Sequence, residues 1–264
     1  QVRDLEASIG KDVADIAAKA VAKQKLDAAL APLKVLAAAW SGGVMLGQQG
    51  CDDVAYEKLL KAVAERAAEL PKTPSLERMI EVGQAGIPYD LAFPEVFHPD
   101  GQTKRTGGFH AVVGNPPWDA IKFNTKEFLA SFDLRVLEAP TKRERAEVEQ
   151  KLAQNPTVQP LFERYQEAFE QRKRANDRLF ECQKVTVEGD LAGRQLDEFR
   201  VFAERDARLL GHGGALGLVV PSAFHANAGA TGIRRLYLDE LELGCCYSFE
   251  NRRKLFQIHS RFKF

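Results

Sequence analysis

Phe109-His110-Ala111-Val112-Val113-Gly114-Asn115-Pro116-Pro117-Trp118 is the stretch that decides the reading of this chain. Its first six residues are a short apolar run with β-branched side chains, which predicts a strand buried on both faces in a parallel sheet. The run ends directly in two prolines, which fix φ twice and remove two N–H donors, so the loop is stiff. Pro116 also restricts Asn115 to an extended conformation. In open α/β sheets ligands bind beyond the carboxyl ends of the strands, which is where this loop falls. The Asn115 side-chain oxygen and the Pro116 carbonyl are therefore expected to converge as two acceptors, and an amino group has two N–H bonds to give them.

That pair suits methyl transfer to an exocyclic amine. The lone pair of such a nitrogen is delocalised into the base, and two acceptors on its hydrogens favour a pyramidal nitrogen aimed at an incoming methyl group. Orientation and electrostatic preorganisation supply the gain. Trp118 is placed to stack on an extruded base, worth about 1–3 kcal/mol. The competing reading is a structural corner, with Asn115 as a turn residue and Trp118 as packing.

Outward from this motif, residues 215–220 predict a second buried strand ended by Pro221, residues 243–249 a third, and residues 261–264 the start of a fourth. Upstream, residues 87–97 hold Pro88, Pro94 and aromatics before a turn at Pro99-Asp100-Gly101. Residues 1–82 read as helix, with Val13, Ile16, Ala17, Ala20 and Val21 as an apolar stripe. A break is expected at Ser41-Gly42-Gly43, a helix over 53–70, and a short helix capped by Ser75 and running through Val82. Residues 125–210 read as charged helix, with Leu161, Tyr165, Ala168 and Phe169 on one apolar face. Strand, helices, strand, helix, strand indicates an α/β domain. The expected division is a helical region at 1–85, a partial α/β domain at 86–124 and 206–264, and a helical insertion at 125–205.

Lys+Arg and Asp+Glu are both 37, so the formal net charge is zero. A dedicated nucleic-acid coat would be far more basic, so DNA would be met through local patches. Cys51, Cys182, Cys245 and Cys246 show no CxxC or zinc-ligand spacing, and are expected to be buried reduced thiols. No metal site is expected. No apolar stretch of about 20 residues suggests a membrane span, and a cytoplasmic protein is expected. The chain opens on Gln1 and stops at Phe264 within an apparent strand, so it is expected to be part of something longer.

These residues resemble the gamma-type adenine-N6 DNA methyltransferases, in particular those of type IIG restriction-modification and of the BREX and DISARM phage-defence systems. The likeness rests on Phe93-Pro94-Glu95-Val96-Phe97, Gly107-Gly108-Phe109, residues 112–118, residues 215–222, and Phe249-Glu250-Asn251 through Phe256 to Phe264. It implies the C-terminal half of a Rossmann-like methyltransferase sheet with large helical segments. It also implies S-adenosylmethionine as cofactor and double-stranded DNA with a flipped adenine as partner, alongside other defence-system subunits. Asn115 and Pro116 would hold the amino group, with Pro117 stiffening the loop. Trp118 and Phe256 would stack on the base, and Arg252, Arg253 and Lys254 would meet phosphates. Phe256 reads equally as a core aromatic, and the three cations as a solvated turn. The family's glycine-rich cofactor loop, between strand and helix, is missing. Gly42-Gly43 lies between helices, and residues 211–217 lead into a strand rather than out of one.

Two alternatives stay open. One is a methyltransferase acting on another amine: cytosine N4, an RNA base or a protein glutamine. The other is a non-catalytic interaction module docking a partner through the 125–210 helices.

Overall fold

The computed structural model describes residues 13–99, 107–187, 189–191, 196–257, 259 and 261–264. In chain order its main elements are α1 (Val13–Leu46), α2 (Asp53–Ala64), α3 (Pro74–Gly83), α4 (Tyr89–Ala92), α5 (Pro94–Phe97) and β1 (Phe109–Gly114). Then come α6 (Thr125–Ala130), α7 (Arg135–Glu138), α8 (Lys142–Ala153), α9 (Gln159–Leu179), β2 (Thr186–Val187) and β3 (Asp190–Leu191). The chain closes with α10 (Glu198–Arg208), β4 (Leu210–Leu218), α11 (Ala223–Ala226) and α12 (Thr231–Arg235), the last running into a π turn at Leu236–Glu240. The class is mixed α/β. Two compact units divide the chain: Gln1–Pro116 with Phe202–Val219, and Pro117–Val201 with Val220–Phe264.

In the first unit α1 runs unbroken through Ser41-Gly42-Gly43, contrary to the expected break. The glycines serve a helix crossing instead. A Cβ on Gly42 would overlap the Met79 carbonyl oxygen, and one on Gly83 the Ala38 carbonyl oxygen. Only glycine lets the two backbones approach this closely. Ala39, Ala55, Leu59 and Leu76 form the core beneath this crossing, flanked by Val35, Leu36, Tyr56 and Ile80. The early stripe does not contribute, since Val13, Ile16 and Val21 are exposed. Gly83→Leu is expected to destabilise the unit by about 1–3 kcal/mol or more, the range for overpacking a filled core. Chemical denaturation would read the loss; unchanged stability would mean that the crossing is not closely packed.

Sequence predicts one helix over 53–70, but α2 stops at Ala64. Asp52 caps it by accepting from Ala55 N at 2.9 Å, and also accepts from the Ser75 hydroxyl at 2.6 Å. Ser75 is therefore not the cap of α3. Thr73 is, accepting from Leu76 N at 3.2 Å with Pro74 in the first turn. Helix α1 also corrects the view that no stretch is long and apolar enough to span a bilayer. An 18-residue window of it has mean hydropathy 1.5, because Lys34 is the one charge between Ala28 and Leu46. Length and composition alone carry that observation.

β1 and β4 form a two-stranded parallel sheet with Ala111 opposite Ala215 and Gly114 opposite Leu218. β4 begins at Leu210 rather than Ala215, so the glycine run 211–214 lies inside the strand, and the register slips between Phe109 and Ala111. Gly108, at φ +152°, sits so close to Gly211 that a Cβ would overlap its backbone. β1 is not buried on both faces: His110 and Ala111 are exposed, and Val113 is 85% exposed. A parallel strand is covered only when helical layers flank the sheet, and no described element of this unit covers Val113. The rim below β1 is aromatic, with Phe97 and Phe93 edge-on to Phe109 at 5.3 and 5.4 Å. The last two residues of the expected Pro99-Asp100-Gly101 turn lie outside the described residues, as do residues 1–12.

In the second unit α6–α9 fold around Leu129, Ala130, Val136 and Val158. Tyr165 stacks on Phe128 at 4.7 Å and on Phe123 at 5.0 Å, and Phe169 reaches Phe123 at 5.6 Å. Leu161 falls off this face and is exposed, while its neighbour Phe162 takes the place. The third strand expected over 243–249 does not form. That segment has no ladder, and Leu243, Tyr247 and Phe249 are exposed. Apolar β-branched or aromatic composition makes a strand only where a partner edge takes its backbone groups. The fourth is reduced to a bridge of Glu250 with Lys263, flanked by Phe249 and Phe264 exchanging backbone bonds of 2.6 and 3.0 Å.

Candidate functional site

The Gly114 carbonyl accepts from Val219 N at 3.0 Å, which carries the β1–β4 pairing to the last residue before Asn115. Asn115 is exposed and Pro116 buried, so the corner is anchored by the proline ring while the carboxamide faces solvent. Among the described residues, neither the Asn115 carboxamide nor the Pro116 carbonyl is taken by a hydrogen bond. Two acceptors on a short stiff segment at a strand's carboxyl end are thus unspent. Pro117, which opens the second unit, is exposed.

Trp118 is half-buried in the second unit, at the centre of an aromatic cluster. Its ring stacks on Phe262 at 5.7 Å and 13°, and lies 5.9 Å from Phe264 and 5.3 Å from Phe256, the last tilted by 58°. Phe256 meets Phe264 edge-on at 4.9 Å. Beyond Trp118 the backbone is pinned to the start of α10: Glu198 N donates to Asp119 O at 2.9 Å, and Ile121 N to Leu196 O at 2.7 Å. A base held between Trp118 and Phe256 needs ring planes about 7 Å apart, twice the contact distance of carbon atoms. At 5.3 Å and steeply tilted, the two rings fill that space themselves. As they stand these two rings leave no room for a base between them, and Phe262 stacks on Trp118 as well.

Arg252 and Arg253 lie on a short 3-10 turn, Asn251–Arg253, and Lys254 follows in the left-handed region at φ 51°. All three are exposed. Arg252 is committed to Glu250 at 2.6 Å. Arg253 and Lys254 have no ion pair among the described residues.

Two buried polar groups to which the sequence assigns no role of their own organise this unit. Asn251 is 1% exposed, and its carboxamide donates to Phe256 O at 3.0 Å and accepts from Phe256 N at 3.2 Å. Arg200 is 2% exposed, donates to Gly229 O at 2.6 Å and lies 3.4 Å from Asp197. Burial pushes the Asp197 carboxyl up and the Arg200 guanidinium down, each opposed by the other's charge. Asn following a strand and Arg in a charged helix are common in surface segments, so nothing in their local context marks either as buried.

A separate cleft of about 550 Å³ in the first unit is lined by Cys51, Asp52, Asp53, Ser75 and Arg78. Burial and the neighbouring Asp53 push the half-buried Cys51 thiol up, away from thiolate chemistry. Cys245 and Cys246 are exposed rather than buried, because the strand expected to carry them inward does not form. Among the described residues, no three His, Cys, Asp or Glu side chains gather as a metal set.

No protein-family model, curated protein or solved structure matches this chain.

Proposed function

We propose that this chain carries the catalytic-loop part of an S-adenosylmethionine-dependent DNA methyltransferase acting on adenine N6, in restriction-modification or phage defence. The observation that carries the reading is the solvent-facing Asn115 carboxamide beside the buried Pro116, at the carboxyl end of a parallel strand, with both acceptors unspent. In open α/β sheets this is the position at which ligands bind. Asn115 and Pro116 grip the two amino hydrogens, Pro117 holds the loop stiff, and the Trp118 ring supplies a stacking face once Phe256 parts from it.

Neither strand of the parallel pair opens into a glycine loop that leads to a helix: β1 leads to Asn115 and β4 to Pro221. The parallel pair is therefore assigned no cofactor loop among the described residues. Calorimetry of the isolated chain with S-adenosylmethionine is accordingly expected to show no binding, and a low-micromolar dissociation constant would overturn that assignment. The methyl-transfer reading itself is tested by Asn115→Ala in the full-length protein, measured for methylation and for DNA binding side by side.

A further inference from the structure

The turn that bears Arg252, Arg253 and Lys254 is held by one buried side chain. Asn251 uses its carboxamide as a peptide group would be used in a ladder, giving one hydrogen bond to Phe256 O and taking one from Phe256 N. Its own N–H donates to Phe262 O at 2.9 Å, and its carbonyl accepts from Lys254 N, also at 2.9 Å. Residue 251 thereby fixes both ends of the 252–255 segment and ties them to Phe262, beside the Glu250–Lys263 bridge. The same bonds set where Phe256 lies against Trp118.

Lys254 adds an independent observation. It is not glycine, yet it sits at φ 51°, ψ 44°. That conformation is unfavourable for a residue with a Cβ and persists where surroundings over-determine it. Lys254 keeps its exposed side chain in the turn despite that strain. Its neighbour Arg253 is equally exposed and equally unpaired among the described residues. The product is a rigid two-cation turn beside a cluster of aromatic rings, the pairing of backbone charge and stacking face that suits a nucleic-acid strand.

We propose that Asn251 is a positioning residue that presents Arg253 and Lys254 to the phosphodiester backbone of a DNA strand. The inference rests on the methyltransferase reading for its choice of partner, but its test needs neither cofactor nor methyl transfer. Four proteins are compared by fluorescence anisotropy with a labelled oligodeoxyadenylate over a salt series: the unaltered chain, Asn251→Ser, Arg253→Ala/Lys254→Ala, and the triple variant.

Asn251→Ser is expected to weaken binding about tenfold, the scale of one charge-assisted hydrogen bond. The double variant should lower the slope of log affinity against log salt by about 0.7 for each phosphate no longer neutralised. Adding Asn251→Ser to the double variant should cost nothing further, because the side chains it positions are already gone. A tenfold loss in both backgrounds would make Asn251 merely structural and overturn the proposal. So would an unaltered affinity in the double variant, or no binding by the unaltered chain. Thermal unfolding of all four separates a folding defect from a binding defect. Should Asn251→Ser fail to fold, Asn251→Asp keeps the acceptor for Phe256 N–H, drops the donor, and is judged by the same comparison. Methylation by the Asn115 variant is read in a different assay, so the two proposals fail separately.

Discussion

Asn115→Ala in the full-length protein is expected to lower methyl transfer by about 10²–10³-fold, the cost of removing one preorganised polar group from a developing charge. DNA binding should be unchanged, because Asn115 contributes no charge to the backbone contacts. The carboxamide oxygen holds an N–H more strongly as the nitrogen becomes positive, so its loss falls on the transition state rather than on the ground state. Asn115→Asp keeps an acceptor and should retain more activity than Asn115→Ala. Pro116→Ala keeps the carbonyl but frees φ and restores an N–H, so it should act through geometry and cost less than either. Single-turnover transfer of labelled methyl groups, with anisotropy on the same DNA, measures all three. Equal rates for the Asn115→Ala variant and the unaltered protein would remove the methyltransferase assignment, and the interaction-module reading would then lead.

The parts of this fold that local sequence could specify were legible. The run 109–114 and residues 215–218 of the expected 215–220 are strands, and they pair in parallel. The diproline corner falls at the end of β1 with Asn115 outward. What failed was set by contacts between distant residues. Gly42 looks like a helix breaker in one dimension and is a helix-crossing contact in three, because Gly83 and Met79 come to it from another helix. Residues 243–249 have a strand's composition, but among them only Phe249 pairs, with Phe264, so composition alone misled. Ser75 and Thr73 are both capping residue types, and Asp52, 23 positions from Ser75, decided between them. At the candidate site, Trp118 and Phe256 do meet, yet their tilt and closeness follow from Phe262, Phe264 and the Asn251 bonds. No spacing rule encodes those.

Arg200→Ala is expected to destabilise the protein by about 3 kcal/mol, the lower end for breaking a buried ion pair by removing one partner. At least three losses combine. The Gly229 carbonyl, buried in the turn before α12, loses its 2.6 Å donor. The space occupied by one of the largest fully buried side chains empties. Asp197 loses the cation that opposes its burial. The last loss gives the variant a signature in pH. A carboxyl whose folded pKa is raised binds protons more readily folded than unfolded, so stability is greatest below the unfolded value and falls as pH climbs towards the folded one. In the unaltered protein Arg200 limits that rise. Without it the folded pKa of Asp197 moves higher and the window widens upward, so the deficit of Arg200→Ala should be larger at pH 8 than at pH 4. Adding Asp197→Asn should abolish the pH dependence of the deficit while leaving its Gly229 and packing parts in place. Urea unfolding of the three proteins across that range checks the sign. A deficit independent of pH would show that Asp197 and Arg200 are not electrostatically linked, and that Arg200 acts through the carbonyl and its packing alone.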